Sequence, residues 1–286
     1  MTEPHFPFVQ FDLASGYGLT PGRYPVRPAG QAQDAPEGVL ILDVVDAPLG
    51  RRRRRRARPR DVKPGEEAPT IHVHRATVVR ADSFPGEVEA GEWLAKTSRD
   101  DAALEEIVGD ALRILNRALH AQRAAAQDAF VPDLSRDRAL AVRVGYGLGD
   151  ALAGGEWSAA VDVPPSAPRS RRVEALRPQE RIAAVLGGRE NVSVCESLLL
   201  RARGDLDAGR LREAALELRS AVAALLIELE GTGGVDQAAD LVELETRREA
   251  LAEAARVALR SDPDSAELEA TLGIAERVIR RRRILG

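Results

Sequence analysis

The sequence predicts an α+β protein, with a small antiparallel β-rich N-terminal part that also carries helices, followed by an all-α C-terminal domain of helical hairpins. Two patterns carry this. Apolar residues alternate with period two between Phe6 and about Ala81, the spacing of half-buried strands. From about Pro178 onward they recur instead at intervals of three and four, the spacing of one helix face. A third observation divides the two regimes: the cluster Pro164, Pro165, Ser166 and Pro168 marks a boundary, because proline lacks the amide that either ladder needs. The expected organisation is an α+β domain over 1–163, a linker over 164–172 and a helical-hairpin domain over 173–286.

The first strand is read from Phe6, Phe8 and Gln10 alternating with Val9, Phe11 and Leu13. Gly16 to Gly22 is rich in turn residues, so Tyr24–Arg27 is expected to return as the partner of that strand. Val39–Val45 and Thr70–Ala81 read as further strands. Between them, about 48–69 is rich in Arg, Pro and Glu with no apolar period, which predicts a mobile, solvated loop. A helix follows, with Ser98 and Asp101 resembling an N-cap arrangement and Leu104, Val108, Ala111, Leu115 and Ala118 on one face. Asp133–Arg138 is a polar break. Ala139–Val144 is strand-like, and Gly145 to Gly149 is expected to turn the chain.

Further helices are expected around Ser193-x-x-Glu196, a capping box in which the serine oxygen accepts from a helix amide and the glutamate reaches back. Leu211, Ala214, Ala215, Leu218, Val222, Leu225, Leu226 and Leu229 trace the next apolar stripe, closed by Gly231 and the Gly233-Gly234 pair. Two more helices, Val235–Arg260 and Ser265–Arg283, are separated by Ser261-Asp-Pro-Asp264.

Within residues 191–286, Pro263-Asp-Ser-Ala-Glu267 followed by Leu272-Gly273 resembles the start of a tetratricopeptide unit. Gly209-Arg-Leu-Arg-Glu-Ala214, with Leu218 and Ala221, resembles the second helix of one. The resemblance implies repeat-like helical-hairpin packing and the binding of peptides or proteins.

Charge is distributed unevenly. Arg51, Arg52, Arg53, Arg54, Arg55 and Arg56 are consecutive, and Arg58 and Arg60 follow with no acid among them. Setting these eight charges aside from the formal −4 leaves about −12 on the remainder, so an acidic body carries one cationic segment. Such a segment can neutralise phosphates of RNA, DNA or anionic lipid. Without interleaved aromatics it lacks the stacking groups that read bases. Arg280–Arg283 forms a second basic cluster, suited to the C-terminal dipole of a helix.

Cys195 is the single cysteine, which excludes an internal disulfide and points to a reducing compartment and a buried small side chain. The start shows no cationic-then-apolar leader, and Ala221–Ile227 is too short an apolar run to cross a bilayer. The expectation is a cytoplasmic protein that is not integral to a membrane. His72 and His74 share one side of a strand without an evident third metal ligand. Gly145-x-Gly-x-Gly149 has the context of a phosphate loop, but Asp150 stands where a dinucleotide fingerprint has glycine or alanine. His120, with Asn116, Arg117 and Arg123, makes a polar helix face without a nucleophile motif nearby. Trp93 and Trp157 are expected to anchor the N-terminal core. No cofactor or metal is expected from these patterns.

The functional expectation is a non-enzymatic scaffold or adaptor that binds a protein partner, or a second copy of itself, through its C-terminal helices. The apolar stripe Leu268, Leu272, Ala275 and Ile279 on the last helix must be covered by the preceding helix or by another subunit. One alternative is polyanion binding through Arg51–Arg60. Another is an enzyme that uses His120, Arg123 and the Gly145–Gly149 turn.

Overall fold

The computed structural model describes residues 3–28, 33–48, 70–164, 172–229 and 235–285. It is of α+β class, and the chain divides into two compact units, Met1–Ala167 and Pro168–Gly286.

The first unit is built on a six-stranded antiparallel sheet in the order β2-β3-β4-β1-β5-β6. Its strands are β1 (His5–Leu13), β2 (Gly22–Val26), β3 (Gly38–Pro48), β4 (Thr70–Arg80), β5 (Ala141–Leu148) and β6 (Ala159–Asp162). β1 lies inside the sheet, with Val9 opposite Val78 on β4 and Val144 on β5. This corrects the expected pairing of β1 with Tyr24–Arg27, since β2 pairs with β3 instead. The reason is burial: Phe8, Val9, Gln10 and Phe11 are all nearly inaccessible, so β1 needs cover on both faces and both edges. β2, whose residues before Val26 are largely exposed, occupies the edge. Proline is tolerated there, because an edge strand can spare an amide, and Pro25 is one of its residues.

Helices α1 (Glu87–Thr97) and α2 (Asp101–Ala126) cover one sheet face. Alternation sends Val9, Phe11 and Leu13 to that side, where they join Ala76, Val78, Val142, Val144, Leu104, Val108, Ala111, Leu115 and Leu119 in one core. The start of α2 departs from expectation. Asp100, not Ser98, is the N-cap, its Oδ1 accepting from the Ala102 and Ala103 amides at 3.0 and 3.1 Å. Ser98 ends α1 as its C-cap, the chain having stopped and restarted within three residues.

β5 runs straight through the glycines that were expected to turn the chain. A Cβ at Gly145 would stand 2.3 Å from the Ala159 carbonyl oxygen on β6, so glycine here admits a neighbouring strand rather than a bend. The turn comes later, where Gly149–Ala153 forms the short helix α3. Gly16 has a similar role, its Cα facing the His74 ring where a Cβ would clash at 2.5 Å.

The second unit comprises α4 (Arg172–Leu186), α5 (Val194–Asp207), α6 (Leu211–Glu228), α7 (Val235–Ala258) and α8 (Ser265–Leu285). The stripe on α6 is buried as its spacing requires, with Ala214, Ala215, Leu218, Val222, Leu225 and Leu229 nearly inaccessible. Gly231 and the Gly233-Gly234 pair lie outside the described residues. α6 packs on α5 and α7, and α8 returns to pack on α5, α6 and α7. These four helices therefore close around one core instead of leaving the last face open. Leu268, Leu272, Ala275 and Ile279 are buried in that core. The expectation that they form an interaction surface is corrected accordingly: their cover comes from the same chain. Ion pairs fasten the closure. Arg203 on α5 donates from Nε and Nη2 to Glu276 at 2.8 and 3.1 Å, and from Nη1 to both oxygens of Glu269 at 2.8 and 2.9 Å.

Candidate functional site

In the helical unit, large apolar side chains are exposed on α4, at the start of α5 and near the end of α6, as well as at Leu200, Val242 and Leu259. Arg181 on α4 donates to the buried Glu196 carboxylate of α5 and lies 3.8 Å from Glu190. These contacts tie α4 through Arg181 to the chain that follows it. Ile182 and Leu186, one turn apart, are left 57% and 83% exposed. Exposed Val192 and Val194 follow in the next segment. Ile227, exposed near the end of α6, precedes a residue that is bonded to α5.

That residue is Glu228. Its Oε1 accepts the Cys195 amide at 3.1 Å and its Oε2 accepts the Cys195 thiol at 3.1 Å. The capping box expected from Ser193 and Glu196 is thereby corrected. Ser193 is the N-cap but makes no side-chain cap bond, its hydroxyl instead lying 3.4 Å from Cys195 Sγ. Glu196 is turned toward Arg181. A carboxylate from another helix supplies the acceptor that the orphan amide needs.

Burial, with Glu228 and Glu196 nearby, pushes the Cys195 thiol up to about 11, which makes it a poor nucleophile at neutral pH. Because the folded chain holds this proton more tightly than the unfolded one, its contribution to stability is complete below the ordinary 9.0 and is lost as the pH rises through about 11. Thiol titration with a colorimetric disulfide is expected to be slow in buffer and immediate in denaturant. Glu228→Gln should cost the unit about 1 kcal/mol, the worth of one helix cap, as read by chemical denaturation.

The N-terminal unit carries a different arrangement on the sheet face opposite its two long helices. Asp12 accepts from Arg75 Nε at 2.9 Å and from Arg143 Nη1 at 2.7 Å. Arg143 also reaches Gln10 Oε1 at 3.2 Å and lies 3.1 Å from Asp162, while Gln10 donates to Thr77 at 3.1 Å. Burial alone would raise the Asp12 carboxyl, but the hydrogen bonds and charges of Arg75 and Arg143 outweigh it and hold the group below its usual range. Trp157 packs beside Phe8 at 5.9 Å between ring centroids, with the Arg143 guanidinium 5.9 Å from the indole. Every charge here has a partner, so the network reads as a brace across β4, β1 and β5.

The remaining candidates are dispersed. Arg51–Arg56, Arg58 and Arg60 lie outside the described residues, between Pro48 and Thr70, which pair across β3 and β4. Of the C-terminal basic cluster, Arg281 bonds Asp240 on α7 at 2.7 Å. His72 pairs with Asp46 at 2.7 Å, both exposed, and among the described residues no three His, Cys, Asp or Glu side chains are grouped to hold a metal ion.

Arg123 donates to the Val131 carbonyl and to Asp133 at 2.8 and 3.1 Å. Asn116 exchanges two bonds with the Leu134 backbone at 2.8 and 3.0 Å. The polar face around His120 thus clamps the 131–134 segment onto α2. Trp93 packs against the helix-side core with Phe84, whereas Trp157 sits on the opposite face.

Among the described residues no helix is long and apolar enough to cross a membrane. In comparisons with known proteins, the chain matches no protein-family model, no curated protein and no solved structure.

Proposed function

We propose that the protein is a non-enzymatic scaffold or adaptor whose C-terminal helices bind another protein, and that the contact is made through α4 and the start of α5. The observation that carries this reading is the exposed pair Ile182 and Leu186 on a helix that Arg181 ties to Glu196 and Glu190. An amphipathic helix ordinarily buries its apolar face. Apolar side chains exposed one turn apart, with Val192 and Val194 also exposed in the segment that follows, suit docking of the helix-in-groove kind. The resemblance of residues 191–286 to tetratricopeptide hairpins points to the same class of use.

The test combines Ile182→Glu with Leu186→Glu. Both positions are exposed, so the double variant is expected to keep the thermal transition of the parent while losing partner binding. Light scattering coupled to size exclusion reads self-association, and affinity capture compared between parent and variant reads other partners. A parent that stays at its 30.8 kDa monomer mass, and retrieves the same proteins as the variant, would sink this reading.

Polyanion binding through Arg51–Arg60 is the second reading, supported by the pairing of Pro48 with Thr70. That pairing brings together, at one end of the β3–β4 ladder, the two described residues between which the cationic segment lies in sequence. Affinity for RNA, DNA or anionic vesicles should then fall steeply with salt. Removal of 51–60 should abolish it, and an unchanged salt slope would exclude the segment.

A further inference from the structure

The N-terminal unit contains a cleft of about 300 Å³, at the small end of the range typical of ligand sites. It opens at the end of β4, between the sheet and α1 and α2. Val78, Phe84, Trp93, Ile107 and Ala111 supply an apolar lining. The Phe84 and Trp93 rings lie 5.3 Å apart at a tilt of 38°. Aromatic walls in this arrangement favour a flat or branched apolar body.

Arg80, the last residue of β4, also lines the cleft and is half-buried. Its side chain makes no hydrogen bond or ion pair among the described residues, in contrast to Arg75 and Arg143 on the opposite face. Two acids border the cleft. Asp110 is held by Arg113, and Asp82 stands exposed at the mouth. A guanidinium partly withdrawn from water beside an apolar wall, with no carboxylate upon it among the described residues, is complementary to an anion that carries an apolar body.

We propose that this cleft binds a small apolar carboxylate, with the carboxylate on Arg80 and the apolar body against Phe84, Trp93 and Ile107. The planar fork of Arg80 suits a carboxylate in two-point contact. This proposal is independent of the docking proposed on α4, which lies in the other unit.

Isothermal titration calorimetry of the full chain with three probes that share one ring tests it: 3-phenylpropanoate, 3-phenylpropan-1-ol and 3-phenylpropan-1-amine. The carboxylate is expected to bind saturably with one site per chain, about tenfold or more tighter than the alcohol, as a charge-assisted pair would give. The amine is expected to bind more weakly than either. Arg80→Met should bring the carboxylate down to the level of the alcohol and leave the alcohol unchanged.

Absence of saturable heat from the carboxylate up to about 10 mM, equal affinities for acid and alcohol, preference for the amine, or indifference to Arg80→Met would each overturn the proposal. If Arg80→Met does not fold, Asp82→Asn carries the test at an exposed position. Removing that negative charge should tighten the carboxylate about twofold without affecting the alcohol, and unchanged carboxylate affinity would overturn the proposal as well.

Discussion

Asp12→Ala is expected to lower the stability of the N-terminal unit by about 3 kcal/mol, the low end of the cost of removing one partner from a buried ion pair. The low end applies because Arg75 and Arg143 keep 20% and 23% of their side-chain surface in contact with solvent. Arg75 has no other ion-pair or hydrogen-bond partner among the described residues, so its charge would be stranded over the sheet. Arg143 would retain Gln10 and Asp162. Arg143→Ala should therefore cost less than Asp12→Ala, since Asp12 keeps Arg75.

Both tryptophans, Trp93 and Trp157, belong to this unit, and their fluorescence in a denaturant titration reads its unfolding selectively. The carboxyl of folded Asp12 lies below its ordinary 3.8. Its contribution is complete above that value and disappears as the pH falls through the lower folded one. Asp12→Ala should remove that part of the acid sensitivity. A fluorescence midpoint unmoved by the substitution would reject the brace.

Leu272→Ala should act on the other unit. Leu272 is fully inaccessible within the core that α8 shares with α5, α6 and α7. Deleting its branched end is expected to cost about 2–5 kcal/mol, the range for a buried leucine that leaves a cavity. Far-ultraviolet circular dichroism at the helix band should show an earlier transition, with the tryptophan transition in place. If Leu272 instead faced a partner, the isolated chain would lose almost nothing and only complex formation would weaken. The two outcomes separate a core position from an interface position without knowledge of any partner.

These substitutions also mark what sequence can reveal about such a chain. The stripe Leu268, Leu272, Ala275 and Ile279 was legible because helical spacing is local. Which surface covers it was not, since α5 contributes Arg203 to α8 from far along the chain, with Glu269 at a separation of 66. Likewise the period-two pattern of β1 identified a strand and its two faces, but not its place inside the sheet.

The Asp12 network joins residues 63 and 131 positions apart, and no local motif encodes it. Its one sequence signal was the presence of two polar residues, Gln10 and Asp12, on a strand otherwise rich in phenylalanine. α1 escaped notice because only Ala90, Leu94 and Thr97 of its eleven residues are buried. Ile182 and Leu186 carry the i, i+4 spacing of a face within the helical pattern read from about Pro178, but Pro178 lies inside α4 and hid its start at Arg172.

The pairing of Pro48 with Thr70 at the end of the β3–β4 ladder has a consequence for how this protein can change over generations. The register of the hairpin is set by the eleven residue pairs from Gly38↔Arg80 to Pro48↔Thr70, none of which draws on residues 49–69. Insertions, deletions and charge reversals at this point therefore leave every pair of this ladder in place. The arginine content of 51–60 can drift, or come under selection for a new role, while the sheet and the cleft beside it stay as they are.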